Sequence, residues 1–334
     1  MTNVSNSNRL FWLDWMKTLA MFFIIAGHCC VSGYKYIYVF SVPCFFILSG
    51  FLTKHEENKV FWKKLWWNLI VPMSIIFLVN TVVQFAVQIA KGTFRMEYIY
   101  QTPLLGLVGM QGNDYKAGGL KALWFVYTLV LCKIIFQYLP KKNSMIWLVV
   151  LNCVMLALAC FVSRNTTKIC NSYVNVLLAM PFFCIGNVFR FYKKTITTIP
   201  LKWMPILISS GVIAIWLCGS YNDIVMLYRC YYGSSMILCF IGAIFGTATL
   251  YAVSRLLEQI VPHYEVVTVI GGGTLIILGF HFVIIQIINQ VVHIPGFWQY
   301  LESLLILLAF IPVIRFTEKY MPILYGKFRK TPKQ

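Results

Sequence analysis

Leu10-Phe-Trp-Leu-Asp14-Trp-Met-Lys17-Thr-Leu-Ala-Met-Phe-Phe-Ile-Ile-Ala-Gly-His28 is an apolar run that carries three ionisable side chains. Asp14 and Lys17 stand three residues apart, which places them on adjacent turns of one helical face. Lys17 and His28 stand eleven apart, and at about 100° per residue that closes to within about 20° of three full turns. A charged group inside a membrane span is costly and normally turns toward protein or a wet cavity. The stretch therefore predicts a membrane helix with a polar, active-site stripe down one face.

The rest of the chain agrees with a membrane setting. Its 334 residues are 60% hydrophobic and only 11% charged, more apolar surface than a soluble domain of this length can bury. Runs of about 20 apolar residues recur from end to end. Alternating segments of about ten residues, the mark of a β-barrel, are missing. The expectation is an all-α polytopic membrane protein with about ten transmembrane helices, forming a single membrane domain over 1–334. The spans fall at roughly 10–30, 36–53, 66–90, 120–139, 145–163, 172–190, 203–220, 234–254, 267–290 and 299–318. The polar start of the chain, followed by Asp14 and Lys17, does not resemble a cleavable signal peptide, so the first helix is expected to be retained.

A formal net charge of +18 would point to nucleic acid in a soluble protein. Here the lysines and arginines gather in short loops and tails, where topology and anionic lipid headgroups account for them. No basic soluble module is present to bind nucleic acid. With the N-terminus inside, the inner segments hold 18 of the 28 Lys and Arg. They are Arg9, Lys54, Lys59, Lys63, Lys64, Lys141, Lys142, Arg190, Lys193, Lys194, Lys202, Arg255, Arg315, Lys319, Lys327, Arg329, Lys330 and Lys333. The outer segments hold 8, and Lys17 and Lys133 lie within helices. The bias predicts a multi-pass protein of the cytoplasmic membrane with both termini cytoplasmic. The longest outer loop, 91–119, is polar and glycine-bearing and suits a segment that folds back over a cavity. The 11 Cys show no metal-ligand spacing, and no metal or bound cofactor is expected. Cys29 and Cys30 adjoin His28, but most cysteines sit in apolar runs as small hydrophobes.

Five blocks carry the chemistry. They are Asp14…Lys17…His28; Phe45-Phe46-Ile-Leu-Ser49-Gly50; Trp124-Phe125; Met180-Pro181-Phe-Phe-Cys-Ile-Gly186-Asn187; and Gly271-Gly-Gly-Thr274-Leu-Ile-Ile-Leu278-Gly-Phe-His281. In this order and spacing they resemble the acyltransferase 3 family of integral-membrane acyltransferases. That family's first helix carries a basic residue, ten intervening residues and a His, matched by Lys17 and His28. Its Phe-Phe-x-x-Ser-Gly segment is matched by Phe45 to Gly50. Lys in place of the usual Arg is similar to the subgroup related to fucose 4-O-acetylases. The late block departs further, with Thr274 for Ser and Leu278 for Tyr. The resemblance implies an O-acyltransferase acting on sugars of surface glycans, with acetyl-CoA as donor and a polysaccharide or glycolipid as acceptor.

The residues suit that chemistry on their own terms. Moving an acyl group from a thioester to a hydroxyl needs a base, and neutral His is well matched near pH 7. A cation serves the polyanionic donor or the developing oxyanion. Lys17 and His28 lie about 16 Å apart along a helix. That separation suits a long pantetheine arm that enters from the inside and reacts near the outer end. His28 is thus the expected base, Lys17 the residue that engages the donor, and Asp14 its orienting partner. The competing reading of Lys17 is a side chain snorkelling to the headgroups. Phe45, Phe46 and Gly50 serve either the substrate or helix packing. Ser49 bonds a substrate or a neighbouring carbonyl. Trp124 and Phe125 stack on sugars or belong to an interfacial belt. His281 is either a substrate ligand or a structural histidine paired across the bundle. A polar-solute transporter or glycolipid flippase would also use intramembrane Asp, Lys and His, and is the rival function.

Overall fold

The structure is a computed structural model and describes residues 10–110, 121–141, 144–165, 171–261, 264–292 and 294–325. Among them the regular elements are helical, apart from isolated bridges between Met110 and Asn171 and between Met226 and Tyr231. Residues 111–119 of the expected outer loop lie outside the described residues, as do His263 and His293, while Tyr98–Leu107 of that loop is helical rather than irregular.

α1 (Phe11–His28) runs unbroken through the polar stripe. The short α2 (Tyr34–Tyr38) leads into α3 (Ser41–Leu52). α4 (Asn58–Leu65) passes through one π-helical turn, Trp66–Ile70, into α5 (Val71–Ala90). α6 (Tyr98–Leu107), α7 (Trp124–Gln137), α8 (Ser144–Asn165) and α9 (Ser172–Phe191) follow. α10 (Lys193–Thr197) precedes α11 (Met204–Tyr221) and α12 (Met236–Ile260), which pack against each other. α13 (Glu265–Gly272), α14 (Thr274–Val291) and α15 (Trp298–Tyr320) complete the set.

Eight helical segments among the described residues are long and apolar enough to cross a membrane, and they coincide with eight of the expected spans. The other two expected spans correspond to α1 and α7. α7 has only 14 residues, and the ionisable stripe dilutes the apolar character of α1. The ninth expected span is corrected in one respect. Residues 267–290 do not form one helix, because the chain breaks at Gly273 between α13 and α14. The Gly271-Gly-Gly273 run allows that break, since glycine weakens a helix by about 1 kcal/mol per residue relative to alanine.

Burial separates an inner group of helices from a lipid-facing rim. In the Tyr34–Leu52 segment 67% of the spanning window is buried, against 11% in Met145–Ser163. α8 instead exposes Ile146, Trp147, Val149, Val150 and Phe161, as expected of side chains that meet lipid. α3 and α9 cross at the centre through reciprocal glycines. A Cβ on Gly50 would fall 1.9 Å from the Phe183 carbonyl oxygen, and one on Gly186 would fall 1.9 Å from that of Ile47. Only small residues allow two backbones this close, and close van der Waals approach is what holds membrane helices together. The C-terminal end of α3 is tied down by neighbours. Asn187 Nδ2 and Arg190 donate to the Thr53 carbonyl at 3.2 and 3.0 Å, and Lys133 Nζ donates to Thr53 Oγ1 at 2.7 Å. Cations and amides there satisfy carbonyls that the helix end leaves unpaired.

Candidate active site

α1 and α14 bring two imidazoles together. His281 Nε2 lies 3.4 Å from His28 Nδ1, with ring centroids 4.9 Å apart. Each ring also leans on its own helix: His28 Nδ1 is 2.8 Å from the Ile24 carbonyl and His281 Nδ1 is 2.9 Å from that of Ile277. A carbonyl oxygen can only accept, so in both neutral rings Nδ1 carries the proton and Nε2 the lone pair. The His28 N–H is then shared between Ile24 and His281 Nε2. Nε2 of His28 remains as the proton-accepting atom of the pair. His281 is fully buried, whereas His28 is half-buried. The ring centroids of Tyr38 and Phe282 lie 6.4 and 5.4 Å from that of His28, both edge-to-face, and confine its orientation. The Tyr38 hydroxyl donates to the Gly27 carbonyl at 3.0 Å, which fixes that aromatic wall to α1 itself.

Lys17 lines a separate cavity of about 140 Å³ further down the same helix. Phe45 and Ser49 from α3, Phe125 from α7, and Thr274, Leu275 and Leu278 from α14 line it as well. Four of the five sequence blocks therefore meet in one space. The break at Gly273 sets the opening turn of α14 against this cavity, so the positive end of that helix dipole adds to the charge of Lys17. Leu278 is three residues, about one helical turn, before His281, and Met21 is about two turns before His28. The nearest cavity residues on α1 and α14 thus stand about two turns and about one turn from the histidine pair, which does not itself line the cavity. Its polar side chains are Lys17, Ser49 and Thr274, set among apolar walls.

The other expected residues take different places. Asp14 is buried against the fifth block, where a Cβ on Gly271 would stand 3.0 Å from its Oδ1. Phe46 is fully buried in the core, 4.6 Å from Phe125, and does not line the Lys17 cavity. Gly50 faces the α9 backbone, so its role in the structure is helix packing. Trp124 is half-buried between Phe46 at 6.5 Å and Tyr228 at 6.4 Å. In the fourth block, Gly186 and Asn187 serve the α3–α9 crossing. Cys29 is buried and Cys30 exposed. Two participants escape a reading of sequence. Lys133 shows in sequence only as a charge within a span, its Thr53 partner lying 80 residues away, and Phe282 becomes visible only once His281 is placed beside His28.

A family model described as an acyltransferase domain matches residues 10–316. No curated protein and no solved structure matches the chain.

Proposed function

The chain belongs to the acyltransferase 3 family of multi-pass membrane acyltransferases, and from that premise we propose that it moves an acetyl group from acetyl-CoA to a sugar hydroxyl of a surface polysaccharide or glycolipid. The observation that carries this reading is the His28–His281 pair, whose tautomers leave Nε2 of His28 as a base about two helical turns along α1 from Met21 of the Lys17 cavity.

The acceptor hydroxyl attacks the thioester carbonyl carbon, and its proton passes to His28 Nε2. A carbon–oxygen bond forms while the carbonyl electrons move to oxygen. Their return breaks the carbon–sulfur bond. The departing thiolate takes the proton from His28, so the products are an ester and a free thiol and the histidine is neutral again. His281 holds the ring through the shared Nδ1 proton and supports the positive charge that the ring carries between these steps. Lys17 engages the donor from the cavity wall, and Phe45, Ser49 and Phe125 enclose its arm. The donor comes from the cytoplasm and the reaction lies toward the outer face of the cell membrane.

The test uses purified protein in lipid nanodiscs and acetyl-CoA labelled in the acetyl group. Cell-surface glycan from a strain lacking the protein serves as acceptor. Label should move into glycan in a form that mild alkali releases as acetate, with one free thiol per acetate transferred. Absence of thioester consumption, together with solute or glycolipid movement across proteoliposomes, would replace this reading with transport.

A further inference from the structure

A second cavity, of about 300 Å³, opens at the C-terminal end of α3. Phe51 packs against Trp12 at 6.1 Å and Phe40 against Phe23 at 5.3 Å, so this end of α3 lies beside the start of α1 and away from His28. Lys54, Lys64 and Lys133 line the cavity against one carboxylate, Glu56. Leu52 and Leu69 line both this cavity and the one that holds Lys17, so the two spaces adjoin through a leucine neck.

We propose that this vestibule is a phosphate site that takes the adenosine phosphates of a nucleotide-thioester donor, with its arm passing the leucine neck toward Lys17. The inference rests on the acyl-CoA reading above and specifies where the donor's charge is held. Lys133 is a cation within the apolar helix α7, a position that is expensive unless it is used. Its contact with Thr53 Oγ1 occupies one of three ammonium donors. Lys64 pairs with Glu56 at 2.6 Å and is 56% exposed, so it can exchange that carboxylate for a phosphate oxygen without unfolding anything. Lys54, an exposed residue, lines the same cavity. Lysines bind phosphate as point charges, and part-buried pairs are screened less by salt than exposed ones. With phosphate held here, Lys17 is left to meet the carbonyl groups of the arm.

Binding of adenosine 3′,5′-bisphosphate, which is the charged head without the arm, and of coenzyme A is measured by calorimetry in nanodiscs of zwitterionic lipid. Both should bind the parent protein. Lys64→Gln and Lys133→Gln should each weaken both ligands about tenfold or more, the loss of one charge-assisted hydrogen bond. Lys133→Arg should restore most of the affinity. Glu56→Gln should tighten binding, because it removes the competing carboxylate; a purely structural role for this cluster predicts the opposite or no change. Thermal melts check that each variant is folded, and Lys64→Gln serves if Lys133→Gln is not. Coenzyme A binding that ignores all of these substitutions would overturn the vestibule and leave the acyl-CoA reading intact. Failure of the parent to bind coenzyme A or acetyl-CoA would remove both. Loss of bisphosphate binding when anionic lipid replaces zwitterionic lipid would assign the lysines to lipid headgroups and overturn the proposal.

Discussion

Replacing His28 with alanine removes the ring nitrogen that the Ile24 hydrogen bond leaves as acceptor. A general base is worth about 10²–10⁴-fold in rate, so His28→Ala should lose that much acetyl transfer at matched expression. His28→Gln should be nearly as poor, because an amide takes no proton at neutral pH. His281→Gln should lose less, since the Ile24 carbonyl still holds the His28 N–H. Parental activity in His28→Ala would move the site elsewhere. At Lys17 the expectation divides by charge: Lys17→Ala abolishes transfer while Lys17→Arg keeps a measurable part of it. Equal activity in Lys17→Ala and parent would leave a snorkelling side chain. His28 and Lys17 can be read from sequence because they share one helix, and helical periodicity alone places them. His281 cannot be assigned that way. Its partner is 253 residues distant, and only the packing of α14 on α1 decides between substrate ligand and paired histidine. Lys133 is harder still, since its meaning depends on α3 and α4, neither of which it adjoins in sequence.

At the scale of elements, the α3–α9 crossing and the α13–α14 break position the site. Gly50→Ala drives a methyl group into the Phe183 carbonyl, where no side chain can yield. Overpacking of this kind typically costs about 1–3 kcal/mol, so the apparent melting temperature in detergent should fall by several degrees. Gly186→Ala should do the same from the other side. The double variant should fall by less than the two singles combined, because helices already pushed apart accommodate the second methyl. A strictly additive result would mean that the two glycines do not share one crossing. Phe-Phe-x-x-Ser-Gly reads in sequence as one functional motif, yet its residues divide. Phe45 and Ser49 face the Lys17 cavity, whereas Phe46 and Gly50 face the core and α9. Sequence spacing separates these faces but does not say which neighbour each one meets. The break at Gly273 is likewise foreshadowed by three consecutive glycines and hidden by the apolar composition on both sides, which reads as one continuous span.

For the whole molecule, direction across the membrane decides whether the route from vestibule to histidine pair runs with or against the supply of donor. The helical, multi-pass character is legible from composition, because lipid contact demands long apolar helices. The two expected spans that do not stand out as crossing helices, α1 for its polar stripe and α7 for its 14-residue length, contribute Lys17, His28 and Lys133. Exposed lysines at 54, 59, 63 and 64 cluster at the vestibule end of α3 and α4, and Lys193 and Lys194 follow α9. On the orientation we propose from the positive-inside bias, the vestibule faces the cytoplasm, where acyl-CoA is made, and His28 lies toward the outer face. A cysteine probe at the exposed Arg95 position should react with a membrane-impermeant maleimide in intact cells, on a background without reactive cysteines. A probe at the exposed Lys59 position should react only after the membrane is opened. The same pair of labels in the opposite order would place the lysine vestibule outside. The donor would then have to arrive from the face where no acyl-CoA is available, and the direction of transfer proposed for this protein would fail even if His28 remained its base.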